Sequence, residues 1–323
     1  MLNFNGRVAI VTGSGRGLGL AYAKMLVAHG ARVVINDVNR AAADEAVTAI
    51  VADGGAAVAD SHDVTTSAGD IVAAALSAFG RLDILINNAG IVRFAAFPDE
   101  DPSAWWRAFD IHVRGTVEMT RVAWPHLKQS GSGVVINVAS SSMLSQPGIS
   151  SYSAAKGAIW GFSNTLADEG ARDGIRVHCL MPTGWSGPAM LAPDGSSFWD
   201  PDVEATLRGQ FPPERVADFV VWLSHQDTPM NAETKTFWVG GGWAWRMAFS
   251  ALLPGQKPTE PGPDGWIAVA DKFLKGSTEL RPFFQEAPML HYQISTINPA
   301  LKDKRQLFKA TGIATSVAKH TKS

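Results

Sequence analysis

Val8-Ala9-Ile10-Val11-Thr12-Gly13-Ser14-Gly15-Arg16-Gly17-Leu18-Gly19 passes from a short apolar run through a glycine-rich turn into a helical pattern that lasts to Ala28. Val8–Val11 has no polar alternation, as a strand buried on both faces requires, and Leu18–Ala28 carries small residues that suit close packing on a sheet. A second apolar strand is expected at Arg32–Asn36. In this context the loop is a candidate pyrophosphate cradle. Gly13 and Gly17 allow the turn and a close backbone approach, and Gly19 lets helix and strand pack tightly. The first helical amides then face the ligand, with Ser14, Gly15, Arg16 and Leu18 completing the wall.

The same alternation continues outward. Ala56–Ala59, Asp83–Ile86, Val134–Val138, Arg176–Leu180 and Thr236–Val239 read as further strands. Arg40–Ala52, Ser67–Phe79, Ser103–Lys128, Tyr152–Arg172 and Pro213–Ser224 read as the intervening helices. Short apolar strands separated by helices predict an α/β fold, a doubly wound parallel sheet of Rossmann type in a single domain over residues 1–243. Residues 244–323 are expected to form a C-terminal extension. It holds a Pro/Gly-rich linker at Pro254–Pro263, a helical segment at Trp266–Leu274, and a basic tail with Lys302, Lys304, Arg305, Lys309, Lys319 and Lys322 against the single acid Asp303. That tail reads as a solvated end, with a basic arm beside an anionic substrate as the sharper alternative.

Composition narrows the function classes. With 46% apolar and 18% charged residues over 323 positions the chain can bury a large core. A net charge of −2 does not suggest nucleic acid as a partner. Cys179, the single cysteine, lies in an apolar strand and reads as a buried small hydrophobe. The eight histidines show no HExxH or paired spacing, so no metal site is expected. The N-terminus lacks the pattern of a signal peptide, no apolar run approaches a membrane span, and a cytoplasmic location is the expectation.

Two sets of polar residues carry the chemistry. Asp37 follows the second strand, where a carboxylate accepts ribose hydroxyls and repels a 2′-phosphate; this favours NAD over NADP despite Arg16 and Arg40. Tyr152 and Lys156 stand at i and i+4 on one helix face, so the ammonium lies near the phenol and is expected to lower its pKa from ~10. Tyr152 then acts as acid/base on an alcohol or carbonyl.

The order Thr12-Gly-x-x-x-Gly-x-Gly19, Asn87-Asn88-Ala89-Gly90 and Tyr152-x-x-x-Lys156 resembles the short-chain dehydrogenase/reductase family over about residues 1–243. The resemblance implies an adenine-contacting pair in Asp63-Val64, cofactor contacts from Asn88, Ala89 and Gly90, and a ribose contact from Lys156. It also implies a nicotinamide turn at Pro182-Thr183-Gly184, with Thr183 on the carboxamide. The family's catalytic serine usually lies 13 residues before the tyrosine, which here is Ala139; the strand end Val-Ala-Ser points to Ser140, with Ser141 as the alternative. His112 stands where many members carry a catalytic asparagine, and an imidazole titrating near neutrality would serve a proton relay there.

His112-Val-Arg-Gly-Thr116, Thr120–Leu127 and Phe237-Trp-Val-Gly-Gly-Gly-Trp243 are similar to the dehydrogenase domain of multifunctional enzymes that oxidise (3R)-hydroxyacyl-CoA thioesters with NAD. Some members of that branch act on steroids. Residues 183–212 are expected to form a long substrate lid with Trp185, Met190, Leu191, Phe198 and Trp199 against an apolar ligand. The alternatives are a hydroxysteroid or other bulky secondary alcohol dehydrogenase, and a non-catalytic dinucleotide sensor. By resemblance, a homodimer or homotetramer through the two long helices is expected.

Overall fold

The structure, a computed structural model, describes residues 2–144, 146–187, 197, 199–228, 236–246 and 298–301. The strands β1 (Val8–Thr12), β2 (Arg32–Asn36), β3 (Ala56–Asp60), β4 (Ile84–Asn87), β5 (Val134–Val138), β6 (Arg176–Thr183), β7 (Thr236–Gly240) and β8 (Trp243–Arg246) form one sheet in the order β3-β2-β1-β4-β5-β6-β7-β8. Pairing is parallel from β3 through β7, and β8 returns antiparallel to β7. Among the described residues, β8 is a strand that the sequence reading did not separate from the extension.

Among the described residues, eight α-helices flank the sheet: α1 (Gly17–Ala28), α2 (Arg40–Ala52), α3 (Ala68–Phe79), α4 (Pro102–Phe109), α5 (Gly115–Gln129), α6 (Ser150–Arg172), α7 (Pro201–Gln210) and α8 (Pro213–Ser224). Strand periodicity divides the core between the two faces. Ala9 and Val11 face Tyr22 and Leu26 of α1 and Val216 and Val220 of α8, whereas Val8 and Ile10 face Ile71 of α3 and Met119 and Leu127 of α5. Because β1 pairs with β2 on one side and β4 on the other, the chain direction across the sheet reverses there. A crevice opens at the carboxyl ends of these strands.

Two helical expectations change. The helix expected over Ser103–Lys128 is α4 and α5 joined by a π-helical turn at Asp110–Arg114. A π turn rotates side chains out of the α register and is common at functional sites; here it carries His112 inward to 1% exposure. The segment 183–212, expected to be a lid in the form of a long loop, contains α7. Asp200 accepts a hydrogen bond from the Asp202 amide and Pro201 opens the first turn, an N-terminal signature that the aromatic content of the segment had obscured. Of the extension, Asn298 donates to the Thr206 hydroxyl at 3.1 Å and Leu301 is buried, so residues 298–301 lie against α7. The Pro254–Pro263 linker, the Trp266–Leu274 helix and the basic tail beyond Leu301 lie outside the described residues. Among the described residues, no helix is long and apolar enough to cross a membrane.

At the opposite end of the sheet from the crevice, the fully buried Asp83 accepts the Val8 amide at 2.8 Å and both Nε and Nη2 of Arg81, with Nε of the buried Arg7 at 3.9 Å. Asp83→Ala leaves the Val8 N–H and a buried guanidinium without their carboxylate. Chemical denaturation is expected to show a loss of ~3–5 kcal/mol; a loss below about 1 kcal/mol would show that water compensates both groups.

Candidate active site

The loops after β1 and β4 are braced together. Asn88 Nδ2 donates to the carbonyls of Thr12 and Gly13 at 2.9 and 3.0 Å, while the amides of Asn88 and Ala89 both donate to Thr12 Oγ1 at 3.0 Å. At Gly13 (φ +62°) a Cβ would stand 2.8 Å from Ala89 Cα, so only glycine fits both the turn and the approach. A Cβ on Gly19 would meet the Gly13 carbonyl. Leu18 lies against Gly184, and the space beside Gly17 (φ +59°) meets Ser186. The glycine-rich loop and the segment after β6 therefore face each other across a slot. Arg16 precedes α1 in extended conformation and its side chain does not cap the helix, which leaves first-turn amides available to an anion.

The fit to a dinucleotide rests on these observations together with Asp37. Its Oδ2 accepts the Gly15 amide at 3.1 Å and its Oδ1 the Asn39 amide at 3.0 Å, which orients the carboxylate at the end of β2. Arg40 is bound to Asp44 at 2.8 Å, one helical turn on. Other candidates take supporting roles. Ser14 turns its hydroxyl inward to the Val11 carbonyl, and Asp63 is engaged by the amide and hydroxyl of Thr65 and by Arg107 at 2.8 Å. Burial raises the Asp63 pKa, but these bonds outweigh it and hold the carboxyl below its ordinary range. Val64 is buried against Gly115, and Thr183 Oγ1 accepts from the Trp238 indole at 3.2 Å beside Pro182.

Four side chains meet at the end of β5. Tyr152 lies in the first turn of α6 with the Ser140 hydroxyl beside its phenol; Ser140 Oγ accepts the Ser142 amide at 3.2 Å. Ser141, the alternative, begins the 3-10 turn Ser141–Leu144. Lys156 is 3% exposed, donates to the Val138 carbonyl, and places Nζ 5.4 Å from the centroid of the Tyr152 ring. The His112 ring packs edge-on to Tyr152 at 5.2 Å, and its Nε2 is 2.7 Å from the Ile91 carbonyl and 3.1 Å from the Ile91 amide.

The electrostatics differ from the expectation in two respects. Burial pushes the Tyr152 phenol above its usual range, opposed by the neighbouring Ser140 hydroxyl. Burial also brings the Lys156 ammonium down to about 7. His112 is carried by burial, and then by the Lys156 charge, down to about 3, well below the range near neutrality expected from its sequence position.

A residue that sequence reasoning missed supports this centre. Glu100 accepts hydrogen bonds from the hydroxyls of Ser151 and Ser150, at 2.5 and 2.9 Å, and Trp105 Nε1 donates to Ser150 at 3.2 Å. These serines open α6 immediately before Tyr152, and Ile149 at the N-cap offers no side-chain acceptor. A carboxylate there complements the helix dipole. Glu100 sits in an acidic connection whose sequence spacing gives no sign of α6, so only the fold reveals the pairing.

Comparison with known proteins agrees with this geometry. Residues 7–196 match the short chain dehydrogenase family. The chain belongs to that family. It is 35% identical over 290 residues to peroxisomal multifunctional enzyme type 2 of Mus musculus, an alignment covering 84% of this chain and 37% of that protein. This chain thus spans little more than a third of that relative. Among solved structures it resembles a short chain dehydrogenase from Mycobacterium avium (TM-score 0.72, 30% identity, 85% of this chain and 96% of that one). It also resembles a 3-ketoacyl-(acyl-carrier-protein) reductase from Brucella melitensis complexed with NADH (TM-score 0.65, 32% identity, 74% and 98%).

As a short chain dehydrogenase the protein is an oxidoreductase acting on CH–OH groups with a nicotinamide dinucleotide. Trp199 is buried at 5% exposure, and Trp185 lies under the Arg208 guanidinium at 4.2 Å; Met190, Leu191 and Phe198 lie outside the described residues.

The lowered Lys156 pKa has a consequence for stability. Unfolded, the lysine titrates near ~10.4; folded, it does so at about 7, so the folded protein binds fewer protons between these values. Stability should rise with pH across that window, by at most ~1.4 kcal/mol per pH unit from this residue. Denaturant midpoints at pH 7, 8 and 9 should show the rise in the natural protein and a smaller one in Lys156→Met; equal slopes would contradict the assignment.

Proposed function

We propose that this short chain dehydrogenase uses NAD(H) to interconvert a secondary alcohol and a ketone, with a 3-hydroxyacyl thioester of a fatty or steroid side chain as substrate. Residues 1–243 form the catalytic unit in this reading. The contact of Tyr152 with Ser140, with Lys156 buried behind the phenol ring, carries the catalytic part. A non-catalytic sensor would have no use for a buried lysine beside a tyrosine, since burial disfavours its charged form. The thioester reading draws on the similarity to the Brucella melitensis ketoacyl reductase and to the multifunctional enzyme.

The glycine-rich loop and the α1 amides would hold the pyrophosphate, Asp37 the adenosine ribose, and Lys156 the nicotinamide ribose. The bound nicotinamide supplies the hydride acceptor for oxidation and the hydride donor for reduction. Ser140 donates a hydrogen bond to the substrate oxygen and places it against Tyr152. In oxidation Tyr152 acts as the phenolate, which the positive charge of the bound nicotinamide and of Lys156 would favour, and takes the hydroxyl proton while the carbon gives up hydride; in reduction the phenol returns the proton to the carbonyl oxygen and is left as phenolate. The Val138 carbonyl tethers the Lys156 ammonium, so positive charge that reaches the site acts from a fixed position.

Tyr152→Phe should lower kcat by ~10²–10⁴ while leaving NADH binding, read by fluorescence, within about twofold. Turnover that survives this change would overturn the mechanism.

Cofactor and substrate choice are tested separately. Asp37→Ser should weaken NAD and improve NADP, moving the ratio of their kcat/KM values by about tenfold or more. A 3-hydroxyacyl-CoA series compared with free sterol alcohols, followed at the NADH absorbance, should favour the thioesters. A preference for the free sterol would make the protein a hydroxysteroid dehydrogenase instead.

A further inference from the structure

Gly90, the last residue of the Asn-Asn-Ala-Gly run, has φ outside the left-handed region, so its backbone conformation does not demand glycine. Space does. A Cβ at Gly90 would lie 2.8 Å from His112 Nδ1 and closer still to Cε1, within the imidazole itself. The ring has nowhere to retreat. It is 1% exposed, its Nε2 is held at the Ile91 backbone, and its far side packs against Tyr152. His112 reaches this space because the π turn at Asp110–Arg114 rotates it inward.

The same contacts argue against proton transfer through the ring. A relay through a neutral imidazole takes a proton at one nitrogen and releases it at the other. Nε2 faces only the Ile91 peptide, as donor to its carbonyl in one tautomer and acceptor from its amide in the other, and a peptide does not pass the proton on. Nδ1 has no hydrogen-bond partner among the described residues. A relay through the imidazolium is closed as well: burial and the Lys156 charge keep the ring neutral, with Tyr152 as its other titratable neighbour.

We propose that His112 is a positioning residue, a fixed strut that occupies the side-chain space of Gly90 and sets the Tyr152 ring against Ser140 and Lys156. It follows that glycine at position 90 is required by His112 rather than by a ligand. The inference rests on Tyr152 being the acid/base, and its test includes readouts that do not depend on turnover.

The experiment is a double-mutant cycle on the full-length protein with Gly90→Ala, His112→Ala and both together, measured for thermal midpoint, NADH binding and kcat. Gly90→Ala alone should lower the midpoint by several degrees and kcat by tenfold or more. In the His112→Ala background the same change should cost little, because the space is then empty. Equal losses in both backgrounds would overturn the proposal and assign Gly90 to the ligand. If Gly90→Ala does not fold, its recovery by the second substitution is the expected result, and failure of the double variant to fold counts against the pairing.

His112→Gln supplies the readout that a merely structural role would not move. It should lower kcat about tenfold with KM for the cofactor within twofold. The kcat–pH profile between pH 5.5 and 8 should keep its shape. An inflection near pH 6.5 present in the natural protein and lost in the variant would identify a relay and sink the strut. Should Tyr152→Phe retain activity, the midpoint and NADH-binding cycles still decide the Gly90–His112 pairing, so the two failures remain distinguishable.

Discussion

The contact between the loops that leave β1 and β4 is the constraint on which the rest of this molecule depends. Asn88 binds the carbonyls of Thr12 and Gly13, and the Thr12 hydroxyl takes the amides of Asn88 and Ala89 in return. The four bonds close the sheet at the point where strand order reverses, where adjacent loops would otherwise diverge. They bring Gly13 against Ala89 so closely that neither the turn nor the approach tolerates a side chain. The cofactor slot follows from this closure on one side, and the placement of Gly90 beneath His112 follows on the other.

From there the catalytic centre is built by layers that hold Tyr152 from several directions. Ser140 meets its hydroxyl, Lys156 lies over its ring, His112 packs on its edge, and Glu100 secures the serines that open its helix. Burial works against the ionised forms of the central pair, raising the phenol and lowering the lysine. A site of this kind has weak intrinsic charge, and its proton affinities respond strongly to any charge brought into it, since little solvent screens the interaction. The penalty of burying Lys156 is accepted where that responsiveness is of use.

Much of this was legible in the chain. Strand and helix limits agree within a residue or two at β2, α2, β5 and α8, because apolar runs and alanine-rich helical patterns respond to local rules. The helix expected over Ser103–Lys128 failed at its middle. A π turn leaves no residue pattern, and Asp110–Arg114 reads as ordinary helix until His112 must be buried. The unrecognised α7 failed for the opposite reason. Its Asp-Pro start was present, but Trp185, Phe198 and Trp199 drew the segment toward a lid reading.

The sequence by itself determined the α/β class, the glycine-rich loop with Asp37, and the Tyr152–Lys156 pair, since each depends on residue type at short spacing along one strand end or helix face. Tertiary structure alone decided that Ser140 rather than Ser141 meets the tyrosine, that Lys156 is buried behind its ring, and that burial disfavours the charged forms of both Lys156 and His112. It also showed Glu100 at the start of α6 and the claim of His112 on the space above Gly90. These are matters of desolvation and of contact between segments tens of residues apart, and neither is written in spacing along the chain.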